Sequence, residues 1–219
     1  MSKRDAYLVG TIPLDHIYQV FHTVAETLGD GIRRVPDGEL GDRKMWVSSQ
    51  YPVLGASSAI EVDHFPQGGV ARSTSYEVPL RLKPDAKEIS FGDLNFARWA
   101  ITSYGVLRSM KEAGKAPKHW RLQVGLPAPQ DVMSLLNPES RAAVETPYEK
   151  ALLRELFKIQ AAIPHDELAI TWDAVRVVLI WEDPNNAYVR PWWNDAKGGI
   201  IERLARLGNA VAPGVVDRD

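Results

Sequence analysis

The chain has 219 residues, 45% of them hydrophobic, and its 26 basic and 28 acidic residues give a formal charge of −2. This composition is typical of a globular protein with a sizeable core, and the charge gives no electrostatic reason to expect nucleic acid or an anionic membrane as a partner. The absence of cysteine excludes disulfides and thiolate metal sites within the chain, and the absence of any apolar run of about 18 residues argues against a membrane span, so a cytoplasmic location is expected.

The first 40 residues predict one βαβ unit. Residues 6–10 form a short apolar run that predicts a strand, and residues 14–29 place apolar side chains at helical spacing. The sequence IRRVP at 32–36 predicts a second short strand, which leads into the polar segment PDGELGDR. A parallel pairing of the two strands follows from the helix between them.

The rest of the chain resumes this alternation after a long excursion. Proline and glycine interrupt residues 44–90, where only a small hairpin around YEVPLRL (76–82) is expected. The later predicted elements are a helix over 93–113, a strand over 121–126, a helix over 147–162, a strand over 168–174 and a helix over 198–207.

Strands separated by helices predict an α/β fold with parallel pairing. With about four to five βα units, the chain corresponds to part of a (β/α)8 barrel, because a closed barrel typically needs about 250 residues. We therefore expect residues 1–219 to form a single barrel domain that is incomplete at its C-terminus. Open sheet edges lead us to expect self-association.

Polar residues follow three of the predicted strands. Thr11 comes after the first, Asp37 and Glu39 after the second, and Asp173 after the strand at 168–174. The carboxyl ends of parallel strands share one face of the sheet, which is where α/β folds bind ligands. A hydroxyl with backbone amides suits a carboxylate, and two acids suit an ammonium group, so an amino-acid ligand is expected; ordinary turn and capping roles are the alternative.

These strand ends resemble the catalytic barrel of cobalamin-independent methionine synthase and its shorter relatives, in the superfamily of uroporphyrinogen decarboxylase. Residues 9–13 (VGTIP) are similar to the family's Ile-Gly-Ser-Phe-Pro, residues 37–39 (DGE) to its His-Gly-Glu, and residues 171–175 (TWDAV) to its Gln-x-Asp-Glu-Pro. The resemblance implies a (β/α)8 barrel in which Thr11, Glu39 and Asp173 hold the carboxylate and ammonium groups of a homocysteine-like substrate.

The chain departs from this family in its metal ligands. The family's zinc is held by a His-x-Cys pair, a Glu and a second Cys, all downstream of the Asp-Glu-Pro strand, whereas this chain has no cysteine. Its five histidines show no metal-ligand spacing; they are His16, His22, His64, His119 and His165. The resemblance therefore implies zinc in a full-length relative and none held within this chain, and Asp37 and Ala174 stand where the family has His and Glu.

Three functional hypotheses follow. The first is the lineage of zinc-dependent methyl transfer from a methyltetrahydropteroyl donor to a thiol amino acid, with activity lost or altered in this chain. The second is a catalytically silent protein that binds a small molecule. The third is a metal-free decarboxylase or lyase of the same superfamily, which would use Asp37 with Arg34 and Arg43.

Overall fold

The described part of the computed structural model covers residues 6–63, 79–186 and 189–215 and contains five short strands, seven α-helices and four 3-10 helices. The strands are β1 (Arg34–Pro36), β2 (Ile60–Val62), β3 (Leu80–Leu82), β4 (Arg121–Pro127) and β5 (Leu168–Asp173). The helices are α1 (Ile17–Thr27), α2 (Tyr51–Gly55), α3 (Phe96–Glu112), α4 (Pro129–Val132), α5 (Pro138–Ala162), α6 (Val175–Glu182) and α7 (Ala196–Asn209). None of these helices is long and apolar enough to cross a membrane.

A parallel sheet in the order β1-β4-β5 positions the site. Its register places Pro36 beside Gln123 and Pro127 beside Asp173, so the carboxyl ends of all three strands lie at one edge. The mixed α/β class with parallel pairing is confirmed. No described strand closes the sheet into a barrel or extends it beyond β5, so the partial barrel and the expected self-association stay predictions.

The segment predicted as the first strand is not a regular strand, although it runs alongside β1. Its backbone bonds to residues that flank β1: the amide of Ala6 donates to the carbonyl of Gly31, and the amide of Ile12 donates to the carbonyl of Gly38. Between them, the side-chain amide of Gln123 donates to the carbonyls of residues 8 and 9, at 2.8 Å each. A side chain thus takes the place of a ladder of backbone hydrogen bonds.

The long excursion contains one antiparallel pair, β2 with β3. The strand β3 falls within the predicted hairpin segment 76–82, but its partner comes from residues 60–62, and residues 64–78 lie outside the described part of the chain. The predicted helices over 93–113 and 198–207 are confirmed as α3 and α7, and the strands over 121–126 and 168–174 as β4 and β5.

Helix α5 begins nine residues earlier than predicted, at Pro138 rather than at Pro147. Asn137 caps it by accepting a hydrogen bond from the amide of Ser140, and Pro138 occupies the first turn, where its missing N–H costs nothing. The interior Pro147 is tolerated because its neighbours Val144 and Tyr148 are completely buried in the core. Tertiary packing overrides the helix-breaking tendency of proline here.

Helix α6 was not predicted from the sequence. It follows β5 directly and buries Val177 and Ile180 against α7. Its N-cap residue, Ala174, offers no side-chain hydrogen bond, so the usual capping signal is absent.

Candidate functional site

A cavity opens at the carboxyl ends of β1, β4 and β5, lined by residues of all three strands and of α3. Three of the four predicted site residues line it, namely Asp37, Glu39 and Asp173. The fourth, Thr11, joins the cavity through a hydrogen bond to Glu39. The structure therefore brings together all four residues that the sequence analysis selected, at the predicted edge of the sheet.

Glu39 is placed by a sharp turn. Gly38 has φ +86° and Glu39 itself has φ +51°, so two successive residues adopt the left-handed region. A Cβ on Gly38 would lie 2.8 Å from a methyl group of Val20, which makes glycine the residue that fits there. The turn aims the carboxylate of Glu39 over Gly10, where an added Cβ would lie 2.6 Å from Oε1.

Asp37 is fully engaged with protein groups. The guanidinium of Arg43 donates to both of its carboxylate oxygens, at 3.0 and 2.9 Å, and the hydroxyl of Ser103 donates to Oδ2 at 2.6 Å. The amide of Glu39 donates to Oδ1 at 3.0 Å. Asp37 is only 7% exposed, and these contacts hold the turn before Glu39, although Asp37 also lines the cavity.

Thr11 supports Glu39 directly. Its hydroxyl donates to Oε2 of Glu39 at 2.5 Å. The sequence analysis expected this hydroxyl to contact a ligand carboxylate, but while it donates to Glu39 it cannot also donate to a ligand.

Asp173 approaches the same point from the end of β5. A Cβ on Gly125 would lie 3.3 Å from Oε1 of Glu39 and 3.8 Å from Oδ2 of Asp173. The two carboxylates therefore converge above a glycine of β4, where the lack of a side chain leaves them room.

The electrostatics of the cavity are dominated by carboxylates. Burial raises the pKa of Glu39, and the charges of Asp173 and Asp37 raise it further, against the lowering effects of the Thr11 hydrogen bond and Arg43. The cavity lining carries three carboxylates and one guanidinium, and that guanidinium is paired bidentately with Asp37. The site therefore favours a cationic group.

Part of the cavity lining is apolar. Val47, Phe96, Trp99 and Ala100 contribute to it, and the guanidinium carbon of Arg43 lies 5.2 Å from the ring centre of Trp99. A ligand with both a cation and an apolar body would match this mixed lining.

The sequence pattern did not single out Ser103, Trp99 or Gln123. It placed Arg43 in the polar segment after the second strand and gave it a role only in the decarboxylase or lyase hypothesis. Ser103 carried a usable signal, because it is a polar residue on the buried stripe of α3 and is completely buried. Trp99 and Gln123 carried none, since each resembles an ordinary helix or strand residue. Arg34 lies under the ring of Tyr7, at 5.2 Å, rather than in the cavity.

The described residues do not fit the zinc centre that the family resemblance implies. Within that part of the chain, no three His, Asp or Glu residues are grouped so that they could hold a metal. His119 and His165 each contact a backbone carbonyl, and His22 pairs with Glu26. His64 lies outside the described residues. We therefore derive no chemical step through a metal.

Comparison with protein-family models, with curated proteins and with solved structures finds no match for this chain. The family resemblance therefore rests on the strand-end residues alone.

Proposed function

We propose that the chain binds a small molecule with an ammonium group and an apolar body, of which an amino acid such as methionine or homocysteine is the natural type. The observation that carries the proposal is the convergence of the Glu39 and Asp173 carboxylates above Gly125 in a cavity whose lining also includes apolar side chains. An ammonium group between two carboxylates gains charge-assisted hydrogen bonds, which are stronger than neutral ones.

The resemblance to the methionine synthase barrel supports the same ligand class, because Glu39 and Asp173 match the family residues that hold the amino-acid substrate. Methyl transfer to a thiol is the activity that this lineage implies. The residues of this chain account for binding and orienting the amino-acid part, with Thr11 and Asp37 fixing Glu39.

The test is calorimetric titration at neutral pH with methionine, with the amine that methionine gives on decarboxylation, and with the acid that it gives on deamination. The amine is expected to bind and the deaminated acid to bind at least tenfold more weakly, which corresponds to about 1.4 kcal/mol. Equal binding of both would contradict recognition through the ammonium group.

Matched variants sharpen this test. Glu39→Gln and Asp173→Asn are each expected to weaken methionine binding about tenfold or more, because each removes one charged acceptor. Asp93→Asn is the control, since the Asp93 side chain is 76% exposed and pairs with Lys158 away from the cavity. Equal effects of all three substitutions would show that bulk charge, not this site, controls binding.

A second candidate is proton transfer by Glu39, as in the decarboxylase or lyase hypothesis. The raised pKa of Glu39 favours it, since a carboxyl that titrates nearer neutrality is a better general acid or base. Exchange of the α-hydrogen of a bound amino acid with D2O, followed by proton NMR, tests it. Exchange in the wild type that Glu39→Gln abolishes would support this candidate, and its absence with a bound ligand would exclude proton abstraction at that carbon.

A further inference from the structure

One buried carboxylate next to the cavity has no part in the site described so far. Asp131 lies in α4, directly after β4, and is 2% exposed. It does not line the cavity.

Asp131 caps the helix that follows Asp173. Its Oδ1 accepts a hydrogen bond from the amide of Arg176 at 2.6 Å. This amide belongs to the first turn of α6, whose own N-cap residue, Ala174, provides no side-chain acceptor. A carboxylate from the neighbouring strand-to-helix connection therefore does the work of the missing cap.

A second hydrogen bond ties the same two connections together. The amide of Ala128, three residues before Asp131, donates to the carbonyl of Asp173 at 2.6 Å. The connection after β4 thus contacts the chain on both sides of Ala174. The backbone amide of Ala128 bonds to Asp173 before it, and the side chain of Asp131 bonds to Arg176 after it.

No second hydrogen bond in the described part of the chain accounts for the burial of the Asp131 carboxylate. Among the described residues, Oδ2 of Asp131 has no hydrogen-bond partner. Burial raises the pKa of Asp131 to about 7, and the nearby charge of Asp173 adds to this increase, while Arg176 opposes it. Burying a carboxyl in this way is electrostatically unfavourable, which indicates that Asp131 has a specific structural role.

We propose that Asp131 is the positioning residue for Asp173: by capping α6 from the neighbouring connection, it fixes the turn on which the ligand-binding carboxylate stands. This inference rests on the proposed function in so far as Asp173 binds an ammonium group. The fixing of the turn itself can be measured without any ligand.

Hydrogen exchange in the unliganded wild type is the first test. The first-turn amides of a helix lack intrahelical partners, so the amide of Arg176 should be protected only if Asp131 holds it. We expect it to exchange at least tenfold more slowly than the amide of Tyr18 in α1, whose N-cap residue makes no side-chain bond. Exchange of Arg176 as fast as that of Tyr18 would overturn the proposal, whether or not the protein binds methionine.

Variants then connect the cap to binding. Asp131→Ala is expected to abolish the protection of Arg176 and to weaken methionine binding at least fivefold, whereas Asp131→Asn, which keeps an acceptor, should retain both. Asp195→Ala is the matched control, because Asp195 caps α7 through the amide of Gly198 away from the cavity. It should lower the thermal midpoint without changing affinity.

The outcomes separate the two proposals. If no probe binds the wild type but Arg176 is protected, the proposed function fails and the capping role stands. If methionine binds and folded Asp131→Ala binds it as tightly as the wild type, the positioning role fails and the proposed function stands. If Asp131→Ala does not fold, the exchange rate of Arg176 in the wild type decides.

Discussion

Thr11 donates its hydroxyl hydrogen to the carboxylate of Glu39 over 2.5 Å, although the two residues are separated by 28 positions in the sequence. The bond joins the segment beside β1 to the turn that follows β1. It also lowers the pKa of Glu39, which burial otherwise raises.

Replacing Thr11 by Val should raise the pKa of Glu39 further, because the isosteric side chain cannot donate a hydrogen bond to the ionised carboxylate. Thr11→Ser should leave that pKa close to the wild-type value. Titration of the Glu39 carboxyl carbon by NMR measures both. A Glu39 pKa in Thr11→Val equal to or below that of the wild type would contradict the geometry.

Glu39→Gln should make the folded state more stable than the wild type at neutral pH. The pKa of Glu39 is higher in the folded state than its ordinary value of 4.5, so the folded state retains a proton that the unfolded state loses. Stability therefore falls as pH rises through this range, and the glutamine variant escapes that loss. Urea unfolding between pH 3 and 8 should show the two proteins converging at the acidic end.

Removing one member of the Asp37–Arg43 pair should destabilise the protein by about 2–4 kcal/mol, because the other charge is then left half-buried. Arg43→Lys should recover only part of this, since a lysine cannot bond to both carboxylate oxygens at once. Urea unfolding is the measurement, with Arg108→Ala as the control. Arg108 forms an exposed pair with Glu112, and its removal should cost less than about 1 kcal/mol.

Gly10→Ala should weaken methionine binding, because the new methyl group would overlap the carboxylate of Glu39 and force it to move. Gly105→Ala, in α3, is the control. A Cβ there meets nothing within 4 Å, so the substitution should stabilise the helix by about 0.5–1 kcal/mol and leave binding unchanged. Calorimetric titration and urea unfolding measure the two effects, and an unchanged methionine affinity in Gly10→Ala would mean that Glu39 does not act from its position over this glycine.

A buried network away from the cavity predicts sensitivity to acid. Glu145 accepts hydrogen bonds from Gln130, Trp192 and Arg203, and is 4% exposed. Burial opposes its ionisation, but these donors, Arg203 foremost, hold the pKa of Glu145 below its ordinary value of 4.5. The stability it contributes is therefore present above pH 4.5 and is lost as pH falls through the folded-state pKa.

Glu145→Gln should reduce stability at neutral pH by about 3–5 kcal/mol, since Arg203 would be left without its charged partner. The loss should shrink as the pH is lowered, because the wild type then becomes protonated as well. Thermal unfolding at pH 3, 5 and 7 gives the comparison. A constant difference at all three values would show that Glu145 is not ionised in the folded state.

Periodicity predicted the elements whose stabilisation is local. Helix α1 has its buried residues Val20, Phe21 and Val24 at helical spacing, and β4 is a continuous apolar run with a central glutamine. The start of α5 has a local signal in Asn137 and Pro138, but its continuation through Pro147 depends on the packing of Tyr148 against Gln50 and Phe91, and the cap of α6 comes from Asp131. Patterns within a short window carry no record of such partners.

The site could be predicted as a location but not as a set of roles. Parallel strands place their ends together, so Thr11, Glu39 and Asp173 were found from their positions alone. The assignment of Asp37 to a supporting role needed Arg43 and Ser103, and Ser103 comes from a helix 66 residues away in the chain. A residue's partners, rather than its type, decide whether it contacts a ligand or supports a residue that does.

Residues 6–12, which form one wall of the cavity, are attached to the sheet by the side-chain amide of Gln123. This wall can therefore open locally while the sheet stays intact. Backbone bonds join that wall to Gly31 and Gly38, which flank β1, while the strand pairs β1–β4 and β4–β5 form continuous ladders. Local opening of a segment costs roughly what its own contacts provide. A substitution of Gln123 should therefore speed amide hydrogen exchange in residues 6–12, while the amides of the β4–β5 ladder stay protected.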